Sequence, residues 1–295
     1  MTFLQQLIDA VALGALYGLV AVGIGLVFGI MRLVNFAYGE LITAGGYTLA
    51  YLSGQPAVVA ILACVAVTIG LALVQERVAF RPLRNATPAT MLVATFAVSF
   101  LLQAIYLLAF GTRGQIVGTL GQLNSAFSVS GVDIRWIVLV TTVTGVALLA
   151  ATAALLNRTE MGLHLRAAAN DFRTARILGV RANRVIGLSF VVAGFLAAAV
   201  SVLYTVSSPL VQPSMGVPIT IFALVGVVVG GLDRLWSAAL GGFAVGFVYG
   251  MFGDLLSSQA SPYLPSVVYG AVILVLLLRP AGLFAPFRAR EVERV

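Results

Sequence analysis

The sixteen residues from Arg32 to Tyr47 read Arg-Leu-Val-Asn-Phe-Ala-Tyr-Gly-Glu-Leu-Ile-Thr-Ala-Gly-Gly-Tyr. They place Asn35, Tyr38, Glu40, Thr43 and Tyr47 at the start of an otherwise apolar stretch. An acid at the centre of a membrane span costs about 2.5–3.5 kcal/mol on insertion scales. Glu40 must therefore face protein, a partner such as Arg32, or water. Two roles remain open for it. One is a gate or pathway element, together with its four polar neighbours. The other is a helix-start residue near the headgroups, paired with Arg32 or with the positive end of its helix. A place near the inner end of its span argues against direct contact with a bound ligand.

A second polar segment, 157–184, reads NRTEMGLHLRAAANDFRTARILGVRANR and carries six arginines and two acids. Leu165, Ala168, Phe172, Ala175 and Leu178 recur at steps of three or four, the spacing of an apolar stripe on a helix. Asn170 or Asp171 suits the cap of a second short helix, and Gly179 suits its end. Such a pair of helices can lie on anionic lipid, pack on its own loops, or dock a soluble partner with Phe172 as the anchor.

Several chemistries are excluded. His164 is the only histidine and Cys64 the only cysteine, so neither a zinc site nor a disulfide can form within the chain. Cys64 reads as a small buried hydrophobe. All 17 basic residues are arginine. A Walker A loop needs a lysine for the phosphates, so the chain is not itself a P-loop ATPase. No constellation of acids, histidines or serines suggests catalysis, and no catalytic or metal-ligating residue is assigned. The arginines sit between apolar runs rather than on one basic face, which argues against nucleic acid.

The elements that must position these residues are membrane spans. Of 295 residues, 61% are hydrophobic and 9% charged, with a mean hydropathy of +1.07. Soluble domains average about 45–50% apolar and about 25% charged. Apolar runs occur at 7–30, 36–53, 56–75, 90–110, 135–156, 185–206, 216–231, 237–256 and 263–278. The expected fold is all-α and polytopic, with about eight to ten transmembrane helices. The short run 216–231 reads as a span or as half of a discontinuous helix. No basic leader precedes the first run, so it is expected to be retained as a span. With the N-terminus outside and the runs alternating, 15 of the 17 arginines fall in inner loops and the tail. Arg113 and Arg135 fall outside. The positive-inside rule thus favours an outer N-terminus and a cytoplasmic C-terminus. The longest outer connection, 111–134, is expected to be an exposed loop.

Glycines four apart at 14/18, 25/29, 226/230 and 242/246/250 mark close helix approach. Gly242, Gly246 and Gly250 are expected to serve packing within the chain or a subunit interface. No linker divides the chain, so 1–295 reads as one membrane domain carrying the cytoplasmic segment 157–184.

Four sequence stretches together resemble a known family: Gln6-Leu-Ile-Asp-Ala-Val-Ala-Leu-Gly-Ala-Leu-Tyr17, Val34-Asn-Phe-Ala-Tyr-Gly-Glu40, Gly162-Leu-His-Leu-Arg-Ala-Ala-Ala-Asn-Asp171 with Leu178-Gly-Val180, and Leu278-Arg-Pro-Ala-Gly-Leu-Phe284. In order and spacing they are similar to the permease subunits of bacterial ABC importers for branched-chain amino acids, the shorter LivH-like group. The chain departs from that pattern at Tyr38, where the family usually has histidine. The resemblance implies that 157–184 is a coupling segment docking an ATP-binding subunit, with Gly162, Leu165, Arg166, Ala168, Asp171, Phe172, Ala175, Leu178 and Gly179 in it. It implies two ATP-binding subunits, a second permease chain (similar or identical) and a periplasmic or lipid-anchored substrate-binding protein, all set in membrane lipid. ATP would be held by the partners and no cofactor by this chain. Urea, short amides or other small organic acids are alternative cargoes. A stand-alone secondary transporter is the competing class and would need ionisable groups at the bilayer midplane.

Overall fold

The computed structural model describes residues 3–32, 34–84, 86–129, 132–170, 172–177, 180–231, 235–255 and 263–279. Each of the nine apolar runs lies on a helix. Six helices are long and apolar enough to cross a bilayer: α1 (Phe3–Met31), α3 (Ala57–Val74, continued by a wider turn, Gln75–Phe80), α4 (Pro88–Phe110), α5 (Trp136–Arg158), α8 (Ala182–Ser207) and α10 (Leu235–Leu255). The other three runs form α2 (Tyr38–Tyr51), α9 (Gly216–Gly230) and α11 (Leu264–Leu278). The segment 157–184 folds as two short helices, α6 (Glu160–Asn170) and α7 (Phe172–Ile177).

The centre of the bundle is α1, buried along most of its length and packed on α10, α8, α5 and α9. The outer helices carry bare apolar faces, such as Val58 and Leu62 on α3, Val93, Leu101 and Leu108 on α4, and Val143 and Val146 on α5. Apolar surface of this extent belongs in lipid, where association depends on close packing rather than on hydrophobic burial. Glycine supplies that closeness. A Cβ on Gly246 would lie 2.8 Å from the Leu13 carbonyl and from the Tyr17 ring, and one on Gly250 would lie 2.8 Å from the Ala10 Cα. Gly242 faces Tyr17, Gly18 and Ala21 in the same way. The three glycines therefore lie in the α1–α10 seam, the first of the two roles expected of them. Gly226 and Gly230 of α9 meet Gly241 and Gly242 on a neighbouring strip of α10. With backbones this close, side chains on either strip would force the helices apart.

The two ends of the bundle differ. At one end, Arg84 pairs with Glu76 and donates to Asn183 Oδ1 at 2.6 Å, and α6, with α7 packed on it, lies beside the end of α1. At the other, the connection expected to be a plain loop forms two small ribbons. Strand β1 (Gln115–Ile116) pairs antiparallel with β4 (Leu210–Val211), and β2 (Ala126–Val129) pairs with β3 (Val132–Arg135). Arg135 lies 3.7 Å from Asp9 at this end. The hairpin places β-branched and aromatic residues where their backbone groups can pair.

Replacing Gly246 by Ala forces a Cβ onto a backbone carbonyl and is expected to lower stability by about 1–3 kcal/mol. The loss is read as a fall in the melting temperature in detergent. Gly29→Ala, where nothing lies within 4 Å of an added Cβ, leaves it unchanged or slightly higher.

Candidate functional site

Helices α2 and α9 have 14 and 15 residues. At 1.5 Å per residue they are about 21 and 22 Å long, short of a hydrocarbon core of about 30 Å. They compensate by beginning against each other inside the bundle. The Gly216 N–H donates to Thr43 Oγ1 at 3.0 Å, and Thr43 Oγ1 donates in turn to the Gly39 carbonyl at 3.2 Å. Thr220 Oγ1 donates to the Gly216 carbonyl at 2.9 Å. A Cβ on Gly39 would overlap the Gly216 carbonyl, and a Cβ on Gly216 would overlap the Gly39 carbonyl.

The chain enters this crossing through residues 34–37. Asn35 Oδ1 accepts from the Ala37 N–H at 3.0 Å, while its buried Nδ2 has no partner among the described residues. Gln75 Nε2 donates to the Ala37 carbonyl at 3.2 Å. Tyr38 sends its hydroxyl to the Ala193 carbonyl, 3.2 Å away and midway along α8.

Glu40 follows and is 0% exposed. Its Oε1 accepts from Ser99 Oγ at 2.8 Å and from Gln103 Nε2 at 3.0 Å, and Gln103 also donates to Ser99 Oγ at 3.0 Å. Tyr106 donates to the Glu40 backbone carbonyl at 2.9 Å. Oε2 of Glu40 is buried with no partner among the described residues. Two turns on, Tyr47 stacks on Phe110 at 4.1 Å and tilts against Tyr106 at 5.6 Å, its buried hydroxyl unpartnered among the described residues. A cavity of about 250 Å³ opens between α4 and α9 beside this cluster. Ser99, Gln103, Ser214 and Thr220 are the polar residues of its lining, and Phe96, Phe100 and Ile221 are among the apolar ones.

Two expectations are corrected here. Glu40 opens α2, yet it lies beside the middle of α4, where Ser99 sits, rather than at the end of the bundle. Nor does Arg32 pair with it. Arg32 ends α1 at a positive φ of 51° and donates to the Ala169 carbonyl of α6 at 3.2 Å. The reason is length: α2 starts well inside the bundle, out of reach of a side chain that ends α1.

The profile of one family, the permease component of branched-chain amino acid transport systems, matches residues 6–277. The chain belongs to this family. It is 32% identical to the high-affinity branched-chain amino acid transport permease BraD of Pseudomonas aeruginosa, across 99% of this chain and 98% of that one. It is 31% identical to LivH of Escherichia coli K12, again across 99% and 98%. A relative in the archaeon Methanocaldococcus jannaschii is 28% identical across 93% of this chain and 88% of its own. A solved ABC transporter of metal-chelate type, in an inward-facing conformation, shares the fold with a TM-score of 0.52 over 94% of this chain and 87% of that one, at 17% identity.

In this permease, the stripe read on 157–184 turns inward. Leu165, Ala168 and Ala175 are buried, and Leu165 and Ala168 join the main core. These three residues of the stripe face the bundle, while the side chain of Phe172 and the whole of Leu178 lie outside the described residues. The outward residues are Met161 (54% exposed), Leu163 (57%) and Ile177 (80%), with Arg166 and His164 beside them. Gly162 packs on the carbonyls of Leu155 and Leu156 at the end of α5. The backbone of Phe172 opens α7. Asp171, Leu178 and Gly179 lie outside the described residues. No group of three metal-ligating side chains occurs among the described residues.

Ser99 and Tyr106 are site residues that sequence reasoning missed. Their signal was present: Thr95, Ser99, Gln103 and Tyr106 fall at steps of four, four and three on one face of an apolar helix. Thr43→Val removes the acceptor of the Gly216 N–H and strands a buried donor, at a cost of about 1–3 kcal/mol. Thr43→Ser keeps the acceptor. Thermal unfolding of the detergent-solubilised protein is expected to show a clear loss in the first variant and little in the second.

Proposed function

We propose that this chain is the translocation subunit of a bacterial ABC importer that carries branched-chain amino acids across the inner membrane. The observation that carries the reading is the relationship to BraD, which extends over nearly the whole of both chains. The chain would form one membrane domain, 1–295, and perform no bond-making step. Two ATP-binding subunits would supply hydrolysis, a second permease chain would complete the path, and a periplasmic or lipid-anchored binding protein would deliver the cargo. Fifteen arginines in alternate loops and the tail support a cytoplasmic C-terminus and an outer N-terminus.

The segment 157–184 is the coupling element in this reading. Its exposed Met161, Leu163 and Ile177 form the face for an ATP-binding subunit, and its buried Leu165 and Ala168 transmit the push to the bundle. Arg32 gives a physical route from that push to the site. It holds the Ala169 carbonyl of α6, and the chain beyond it leads through Asn35 and Ala37 into the start of α2. A shift of α6 would therefore pull on the crossing at Gly39 and Gly216, and with it on the Asn35–Tyr47 cluster. That cluster is the proposed gate.

Purification of the tagged chain from its native membrane in mild detergent is expected to bring down ATP-binding subunits in near-equal amounts. Proteoliposomes of that complex are expected to take up labelled leucine with ATP. A chain that reproducibly purifies alone and well folded contradicts the reading. In the assembled importer, Arg32→Gln is expected to leave ATP hydrolysis running while leucine uptake per ATP falls severalfold. Unchanged uptake per ATP removes Arg32 from the route.

A further inference from the structure

We propose that the cavity between α4 and α9 holds the amino acid during passage, with the Glu40 carboxylate facing its α-ammonium group and the Phe96–Phe100–Ile221 side seating its aliphatic chain. The proposal rests on the transport reading above and assigns to that site what it recognises.

The argument begins with a charge that the chain leaves incomplete. Ser99 and Gln103 give Glu40 two neutral donors, both on Oε1, and Oε2 has none among the described residues. A buried carboxylate calls for a cation. The chain has no lysine to provide one. Arg32, the arginine nearest in sequence, is engaged with α6. The proposal takes the complement from outside the chain. An alkylammonium fits: it is compact, carries three N–H donors and one positive charge, and can serve both carboxylate oxygens.

The route to Glu40 is also present. Ser99 and Gln103 line the cavity and hold Glu40 at the same time. Gln103 is only partly buried and its amide nitrogen is 3.0 Å from Oε1, the place an ammonium nitrogen would take. Glu40 itself is fully buried behind these two side chains, so the proposal requires Gln103 to swing aside when the ammonium enters. Beside these polar groups, Phe96, Phe100 and Ile221 offer hydrocarbon surface, the complement of a branched aliphatic chain. The position agrees with the general pattern of transporter sites, which lie near the midplane where discontinuous helices begin. Phe100 is 67% exposed on the side of the bundle. The cavity thus opens laterally, where a second permease chain would close it.

The rival account is a permanently protonated, structural Glu40, and Gln has the same shape and a neutral head. In proteoliposomes of the full importer, leucine uptake per assembled complex is expected to fall about tenfold or more in Glu40→Gln, the scale of a buried charge pair losing one member. Glu40→Asp, which keeps the charge, is expected to retain more uptake than Glu40→Gln. Glu40→Gln at the wild-type rate overturns the proposal. A second variant works from the apolar lining and does not touch the carboxylate. Ile221→Trp is expected to depress leucine uptake several times more than valine uptake. If Glu40→Gln fails to assemble, an unchanged leucine-to-valine ratio in Ile221→Trp overturns the proposal on its own. Failure of the transport reading looks different: the wild-type complex itself then takes up neither amino acid.

Discussion

A backbone that starts a helix inside a bilayer has N–H groups with no water to bind, and each one left bare costs several kcal/mol. The crossing of α2 and α9 meets that constraint with the smallest residues available. Gly39 and Gly216 let the two chains touch, Thr43 takes the Gly216 N–H, and Thr220 folds its hydroxyl back onto the Gly216 carbonyl. Everything else in the site follows from this contact. It sets the depth at which α2 begins, and hence the depth of Glu40. The cavity lies beside it, between α4 and the first turns of α9.

Depth changes what the carboxylate means. Near a headgroup, Glu40 would be an ordinary helix-start acid favoured by the helix dipole. At the level of Ser99, it is a buried polar group held by one face of α4, with one oxygen unpartnered among the described residues. The scaffold around it is rigid where glycine seams join α1, α10 and α9. The connection 34–37 differs. It is held by hydrogen bonds from Gln75 and within 35–40 and by the stack of Phe36 on Phe96, and is tied through Arg32 to α6. Packed cores switch between discrete arrangements rather than stretching, and this connection is where α6 and the polar centre meet.

The membrane class and the nine helical runs were legible in the sequence because apolar length and arginine placement act locally and add up along the chain. The VNFAYGE stretch was legible as a site for the same reason: a lone acid among apolar residues is conspicuous. Its depth was not. The sequence shows that residues 36–53 are few, yet the point where α2 starts depends on Gly216, far away in the chain. The partners Ser99 and Tyr106 were hidden because a polar face on α4 has meaning only once something charged lies opposite. The stripe Leu165–Ala168–Ala175 was correctly placed on helices, but periodicity gives a face and not its direction. Here the direction was inward, towards α5 and α8. The glycine triple carried the same ambiguity, resolved by the fit of Gly242, Gly246 and Gly250 onto α1.

The central claim is that the space beside the α2–α9 crossing belongs to a water-filled path that changes with the ATP cycle. The most direct test is chemical access to Ser214→Cys, at the rim of that space, in the assembled importer. Cys64, the only native cysteine, is fully buried and gives little background. The account predicts labelling by a membrane-impermeant maleimide, at a rate that changes when the ATP-binding subunits are trapped with nucleotide. Labelling only by a membrane-permeant reagent, equal in every state, would place this surface against lipid and contradict the account.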